Sequence, residues 1–154
     1  MMRFPRQRPW PAYIVPLGTY PFSRIEELAP KTVDSALEVV GNAVDLDGLK
    51  WHFRMGTLAY LNHQLTDWGV SGEGSVKELA SEYLFMSQTD SEEIRRVDSI
   101  YREFEAGGPY YPSIWHRPNP SSKSPTTLDG FHTLVALWAF VGPHFEVYYW
   151  EADQ

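Results

Sequence analysis

The stretch TTLDGFHTLVALWAFVGPHFEVYYW, residues 126–150, decides how the C-terminal part of the chain folds. Residues 126–128 favour a short strand, and Asp129-Gly130 is typical of a tight turn. Phe131–Val141 predicts a helix, because it is continuously apolar after its first turn and is followed by Gly142-Pro143. The sequence therefore predicts a strand that turns directly into a helix, with a last strand over residues 145–150.

The first turn of this predicted helix is where the sequence indicates chemistry. The first backbone N–H groups of a helix have no partners within it and carry the positive end of its dipole, so they favour a phosphate. Gly130 allows close backbone approach, and His132 can donate a hydrogen bond to a phosphate oxygen. Asp129 can cap the helix, or hold a metal ion or a ribose hydroxyl. A capped helix with an exposed histidine is the structural alternative, and the spacing leaves both open.

The preceding elements are predicted from apolar periodicity and capping signals. In chain order we predict an edge strand over residues 12–17, helices over 23–30, 32–44 and 47–68, a helix opened by a Ser75–Glu78 capping box, a strand over 83–86, a helix over 92–105 and a strand over 110–115. This order of elements is typical of an α/β or α+β fold rather than of a helical bundle.

Length and composition favour one compact domain. The chain has 154 residues, of which 43% are hydrophobic and 15% aromatic, enough for a folded core. It has no cysteine, which excludes disulfides, thiolate zinc sites and a cysteine nucleophile. No apolar run approaches the ~20 residues of a membrane helix, and no signal peptide is recognisable. We therefore expect a cytoplasmic protein that does not enter a membrane.

Residues 1–24 form a proline-rich basic arm in an otherwise acidic chain. The net charge is −7, which argues against binding nucleic acid by bulk charge. The arm nevertheless carries Arg3, Arg6 and Arg8 without any acidic residue, so it can contact DNA phosphates locally. An arm that packs on its own domain or on a protein partner is the alternative.

The segment LDGFHTLVALWAFVGPHFEVYYW resembles the hallmark of the ParB/sulfiredoxin superfamily, an apolar residue followed by D-G-x-H-R and an apolar helix. The predicted elements at 83–86 and 92–105, Gly107-Gly108 and Tyr111-Pro112 fit the same pattern, so the resemblance covers roughly residues 82–150. It implies a small mixed sheet with helices, formed by residues 82–154, to which residues 25–81 add a helical N-terminal extension.

The resemblance implies a nucleotide-phosphate site. Members of the superfamily include partition proteins that bind CTP, sulfiredoxins that use ATP, free-serine kinases, and plasmid-encoded proteins with ATPase and DNase activity. The last branch, which suppresses transfer of a rival plasmid, suits a small stand-alone protein. We therefore expect binding of ATP or another nucleotide with Mg²⁺, and phosphoester hydrolysis as an ATPase, a DNase or both.

The motif assigns nucleotide binding to Asp129, Gly130, Phe131, His132 and Thr133, with Asp129 also placed to hold the metal. Asp129 and His132 would be catalytic as well. Thr133 departs from the family, since it occupies the arginine position and removes a bidentate phosphate clamp. Phe131 occupies the cysteine position of sulfiredoxins, which excludes their sulfinic acid repair.

Residues outside the motif complete the expected site. Arg95, Arg96 and Arg117 are candidates to replace the missing arginine, and we favour Arg96 as the nucleotide-binding one. Serine kinases of the superfamily use an acidic residue to abstract a proton, so Glu93, or its neighbour Glu92, is a candidate base. The alternative for both acids is ordinary charge compensation in the first turn of a helix.

Two other functions fit the same sequence. The first is a small-molecule, serine-type kinase of the same fold. The second is a non-catalytic protein-interaction module in which the fold persists and the site has decayed, as Thr133 and the acidic surface suggest.

Overall fold

A computed structural model describes residues 9–67, 75–85, 92–117 and 126–153 of the chain. Its helices and strands, in chain order, are β1 (Gly18–Tyr20), α1 (Phe22–Leu28), α2 (Pro30–Val40), a 3-10 turn (Leu46–Gly48), β2 (Trp51–Thr57), α3 (Leu58–Asp67), α4 (Val76–Phe85), α5 (Glu92–Glu105), β3 (Ser113–Arg117), β4 (Thr126–Asp129), α6 (Phe131–Val141) and β5 (Glu146–Asp153). Each described helix is too short or too polar to cross a bilayer.

The strands form one mixed sheet in the order β1-β2-β5-β3-β4. Strand β5 pairs antiparallel with β2 over the whole length of β2, and parallel with β3 on its other edge. β1 and β4 extend the sheet by antiparallel pairing with β2 and β3. The predicted α/β class is therefore confirmed.

Helices cover both faces of this sheet, and each face has its own apolar core. Val147 and Tyr149 of β5 pack with residues of α3, α4, α5 and α6. Trp150 and Ala152 of the same strand lie in the other cluster, which includes residues of α1 and α2. Because successive side chains of a strand point to opposite faces, β5 contributes to both cores and reads as a continuous apolar run at its centre.

The predicted helix over 47–68 is wrong in its first half, which is β2. Trp51 and Phe53 are buried, while His52 and Arg54 between and after them are more exposed, a period of two rather than of a helix. The helical part begins only at Leu58. Residues 25–81 are therefore not a purely helical extension, because they supply the strand that pairs with β5.

The predicted strand over 83–86 is also wrong within the described residues. Helix α4 continues to Phe85, and Met86 lies outside them. The hydroxyl of Tyr83 donates to Asp98 Oδ1 on α5 at 2.9 Å, a contact made from a helical turn. The Ser75–Glu78 capping prediction is confirmed, since the Glu78 N–H donates to Ser75 Oγ at 3.0 Å.

Helices α5 and α6 lie at their predicted positions, whereas several other boundaries differ. The edge strand is Gly18–Tyr20 rather than 12–17, and the strand predicted over 110–115 is Ser113–Arg117. Helix α2 ends before Gly41, short of the predicted 44, because Gly41 takes a positive φ of 54°. The last strand begins at Glu146 and extends to Asp153.

The described part of the proline-rich arm packs on the domain. Pro11 forms an isolated bridge with Tyr110, and Val15 is buried. The Tyr13 hydroxyl accepts a 2.8 Å hydrogen bond from Trp150 Nε1. Arg3, Arg6 and Arg8 lie outside the described residues, so their predicted DNA contact stays a prediction.

Gly130 sets the turn from β4 into α6. Its φ is +99°, a left-handed conformation that side chains other than glycine rarely adopt. A Cβ atom at this position would lie 2.7 Å from Ser113 Cβ and 2.9 Å from Ser113 Cα on the neighbouring strand β3. Only a residue without a side chain allows β3 and the start of α6 to approach this closely.

We expect Gly130→Ala to destabilise the fold more than Gly107→Ala, measured by urea unfolding. Gly107 has a similar φ of +88° with nothing within 4 Å of an added Cβ, so its substitution carries only the backbone penalty, about 1 kcal/mol. Gly130→Ala adds an overpacking cost of about 1–3 kcal/mol against Ser113. Equal losses for the two variants would contradict a steric requirement at Gly130.

Candidate functional site

Asp129 ends β4 in a half-buried position beside the first turn of α2. Burial raises the pKa of Asp129 above its ordinary value, while the charge of Arg96 and hydrogen bonds from the Gly130 N–H and the Thr32 hydroxyl act in the opposite direction. Thr32 itself is buried. The fold thus keeps the Asp129 carboxyl group in a poorly solvated place, although burial disfavours its ionised form. Such an arrangement is typical of functional positions.

A cavity of about 450 Å³ opens beside Asp129, a size usual for small-molecule sites. Its lining consists of Leu28, Ala29, Pro30, Lys31, Thr32, Ser35, Tyr111, Asp129 and Thr133. The lining joins the α1–α2 junction to the β4–α6 turn, two parts of the chain about a hundred residues apart in sequence.

The cavity has groups that can contact an anion beside the Asp129 carboxylate. Lys31 supplies a cation, and Thr133 presents a hydroxyl from the first turn of α6. Helices α2 and α6 both begin at this cavity, and their N-cap residues, Ala29 and Gly130, provide no side-chain cap. Residues from the first turns of two helices therefore line the cavity, and the first turn of a helix carries the positive end of its dipole.

His132 lies on the other side of the same turn, against α5. Its Nε2 atom is 3.9 Å from Glu93 Oε1, and 17% of the His132 side chain is exposed. The ring of Phe131 packs edge-on against the imidazole, at 6.0 Å between centroids. The imidazole therefore lies between α6 and α5, with the Glu93 carboxylate close to its buried Nε2 atom.

The structure brings together four of the residues singled out from sequence. Glu93 and Arg96, one turn apart on α5, lie near His132 and Asp129 respectively. Thr133 lines the cavity, whereas the contact between His132 and Glu93 lies on the α5 side.

Arg117 is not part of this group. It lies at the end of β3 opposite to Ile114, the residue that pairs with Asp129. Its Nη2 atom donates to Glu151 Oε2 at 3.2 Å, and Arg54 binds the other oxygen of the same carboxylate at 2.9 Å. We therefore exclude Arg117 as the replacement for the motif arginine.

Sequence reasoning missed Lys31, Thr32 and Tyr111. A signal for the first two exists, since Pro30 at the first position of a helix marks its N-terminus. Nothing in the local sequence indicates that this N-terminus packs beside β4, because that contact is made by tertiary structure.

Asp129 is suited to hold Mg²⁺ only together with a ligand that supplies further oxygen atoms. Among the described residues no group of three or more His, Asp or Glu side chains can hold a metal ion. Mg²⁺ is commonly bound by one or two carboxylates with substrate phosphates and water completing its shell. A single carboxylate beside an anion-binding cavity fits that pattern.

Comparison of the chain with protein-family models, with curated proteins and with solved structures found no match. The resemblance to the ParB/sulfiredoxin superfamily stays a prediction that rests on the motif and on the order of elements.

We expect Asp129→Asn to gain stability relative to the wild type as the pH rises. The raised pKa means that the stability tied to protonated Asp129 is complete below the unfolded-state pKa, about 4, and is lost as the pH rises through the folded-state pKa. An amide cannot ionise and escapes this loss. Urea unfolding at about pH 4 and pH 8 should show the difference, with exposed Asp34→Asn as control. If Asp129→Asn is less stable relative to the wild type at pH 8 than at pH 4, the raised pKa of Asp129 is contradicted.

Proposed function

We propose that this protein binds ATP or another nucleoside triphosphate with Mg²⁺ in the cavity beside Asp129, and hydrolyses a phosphate bond there. The observation that carries the proposal is the meeting of Lys31, Asp129 and the N-termini of α2 and α6 in one cavity of small-molecule size. The sequence resemblance supports the same ligand class independently of this geometry.

The phosphate chain would lie over the first turn of α6. The backbone N–H groups of Phe131, His132 and Thr133 precede the first intrahelical donor, which is the Leu134 N–H that donates to Gly130 O. Lys31 would supply the positive charge that is missing at Thr133, which occupies the arginine position of the motif. The charge of Arg96 near Asp129 balances the carboxylate when no metal is bound.

The pair formed by Glu93 and His132 lies on the α5 side of the first turn of α6, outside the cavity lining, so hydrolysis would require the terminal phosphate to extend over this turn from the cavity to the pair. Water attacks the terminal phosphorus, the bond to the bridging oxygen breaks, and the water proton passes to Glu93 directly or through His132. Mg²⁺ bound with the nucleotide would neutralise charge that develops on the phosphate oxygens. Glu93 is 38% exposed, so a proton it accepts can pass on to solvent.

The broader parts of the proposal rest on the sequence, through the resemblance, the charge of the N-terminal arm and the composition. These parts are DNA cleavage, DNA contact through Arg3, Arg6 and Arg8, interference with plasmid or DNA transfer, and a cytoplasmic location. The serine-type kinase is the alternative that the pair Glu93–His132 also supports, because a carboxylate beside an imidazole can deprotonate a hydroxyl as well as water. The non-catalytic interaction module predicts no nucleotide affinity at all.

We expect His132→Ala to weaken nucleotide binding about 10- to 100-fold, the loss typical of a hydrogen bond to a charged group. Isothermal titration of the full chain with ATP, CTP and GTP in the presence of Mg²⁺ measures it. His144→Ala is the matched control, because His144 is exposed in the turn after α6. An unchanged dissociation constant would remove His132 from the site, and no binding by the wild type would favour the interaction module.

We expect Glu93→Gln to lower the rate of phosphate release about 10²- to 10⁴-fold, the contribution usual for a general base, with little change in nucleotide affinity. Glu103→Gln is the control, because Glu103 is an exposed glutamate near the other end of the same helix. Labelled γ-phosphate that appears on serine instead of in solution would identify a kinase. Equal rates in both variants would exclude Glu93 as the base.

A further inference from the structure

Tyr111 is a half-exposed aromatic residue in a segment that is held by hydrogen bonds of its neighbour Tyr110. Its side chain is 53% exposed, whereas Tyr110 before it is 3% exposed and Pro112 after it is buried. The backbone of Tyr110 is paired on both sides, since its N–H donates to Trp10 O at 2.9 Å and its carbonyl accepts from the Ala12 N–H at 2.7 Å. The Tyr110 hydroxyl accepts a further bond from the Tyr148 N–H at 3.0 Å.

Two further constraints fix the Tyr111 ring. The residue before a proline is restricted to extended conformations, so Pro112 limits the backbone of Tyr111. The ring of Tyr13 contacts it edge-on, with 6.4 Å between centroids and 67° between planes. Tyr13 is held in turn by its bond to Trp150. The Tyr111 ring is therefore positioned before any ligand arrives, which reduces the entropy lost on binding.

The cavity that Tyr111 lines combines two kinds of surface. Leu28, Pro30 and Tyr111 give an apolar and aromatic part, while Lys31, Asp129 and Thr133 give a charged and polar part. A phosphate or a phosphate chain alone would use only the second. A ligand with both a flat apolar group and an anionic group matches the whole lining.

We infer that the base of the nucleotide stacks on the ring of Tyr111, so that the site recognises a base-bearing nucleotide rather than phosphate alone. This inference rests on the proposed function. Stacking of a base on an aromatic side chain depends on the π-face and tolerates different bases. Tyr111 is then a binding residue that sets affinity, while the discrimination between ATP, CTP and GTP lies with other groups.

The test compares two ligands, MgATP and Mg-tripolyphosphate, which share the phosphate chain and differ in the nucleoside. Titration of the full chain is repeated for Tyr111→Leu, Tyr111→Phe and Lys31→Gln. Tyr60→Leu is the matched control, because Tyr60 is a similarly exposed tyrosine, on α3. Thermal unfolding of each variant establishes that it is folded.

We expect Tyr111→Leu to weaken MgATP binding about 5- to 100-fold, the effect of losing one stacked base, and to leave tripolyphosphate affinity unchanged. Tyr111→Phe should retain MgATP affinity, because the π-face is kept. Lys31→Gln should weaken both ligands by a similar factor, on the order of tenfold, since it contacts the shared phosphates. Tyr60→Leu should change neither affinity.

Three outcomes would overturn the inference. A Tyr111→Leu variant with unchanged MgATP affinity shows that no base stacks there, and equal losses for both ligands show that Tyr111 acts only by supporting the cavity. In both cases the wild type still binds MgATP, and the proposed function stands. A wild type that binds neither ligand overturns the proposed function and this inference together.

Discussion

All seven residues of β2 pair with β5, and the opposite edge of β5 pairs with β3. The first set of backbone hydrogen bonds joins strands that are about a hundred residues apart in sequence, and the second joins two strands of the C-terminal part. The side chains of β5 enter both cores, so neither helical layer packs correctly unless the strand is in register. The cavity beside Asp129 depends on this pairing, because it lies between α2 on one side and the β4–α6 turn on the other.

The carboxylate of Glu151 reinforces the same strand triplet. It is 6% exposed and binds Arg54 of β2 and Arg117 of β3, one on each neighbouring strand. Removal of the carboxylate would leave the guanidinium groups of half-exposed Arg54 and mostly buried Arg117 without their shared partner, and the cost falls mainly on Arg117. The ion-pair group thus ties β2, β5 and β3 at the end of β3 opposite to the candidate site, which leaves the site end to be shaped by Gly130 and Ser113.

At the candidate site the physical balance is different. Asp129 is partly desolvated, and its hydrogen bonds from Thr32 and Gly130 and the charge of Arg96 offset that cost only in part. A cation bound with an anionic ligand would relieve the remaining cost. Lys31 and two helix N-termini supply the opposite charge for that ligand. A metal–phosphate pair would match these charges better than either ion alone, which is the electrostatic reason that we propose a metal-bound nucleotide.

The sequence by itself determined the α/β class, helices α5 and α6, the Ser75 cap and the turn at Asp129-Gly130, because each depends on local periodicity, capping or a glycine backbone. It also indicated Glu93 and Arg96 of α5 and Asp129 and His132 at the β4–α6 turn, which the structure brings near one another. Local pattern failed at β2, where a strand with apolar residues on one face was interpreted as a helix, and at Tyr83, whose place in a helix is supported by packing against α5. Only the tertiary structure decided that Lys31, Thr32 and Tyr111 share a cavity with Asp129, because contacts between distant segments follow from sheet pairing and helix packing, which no local stretch of sequence encodes.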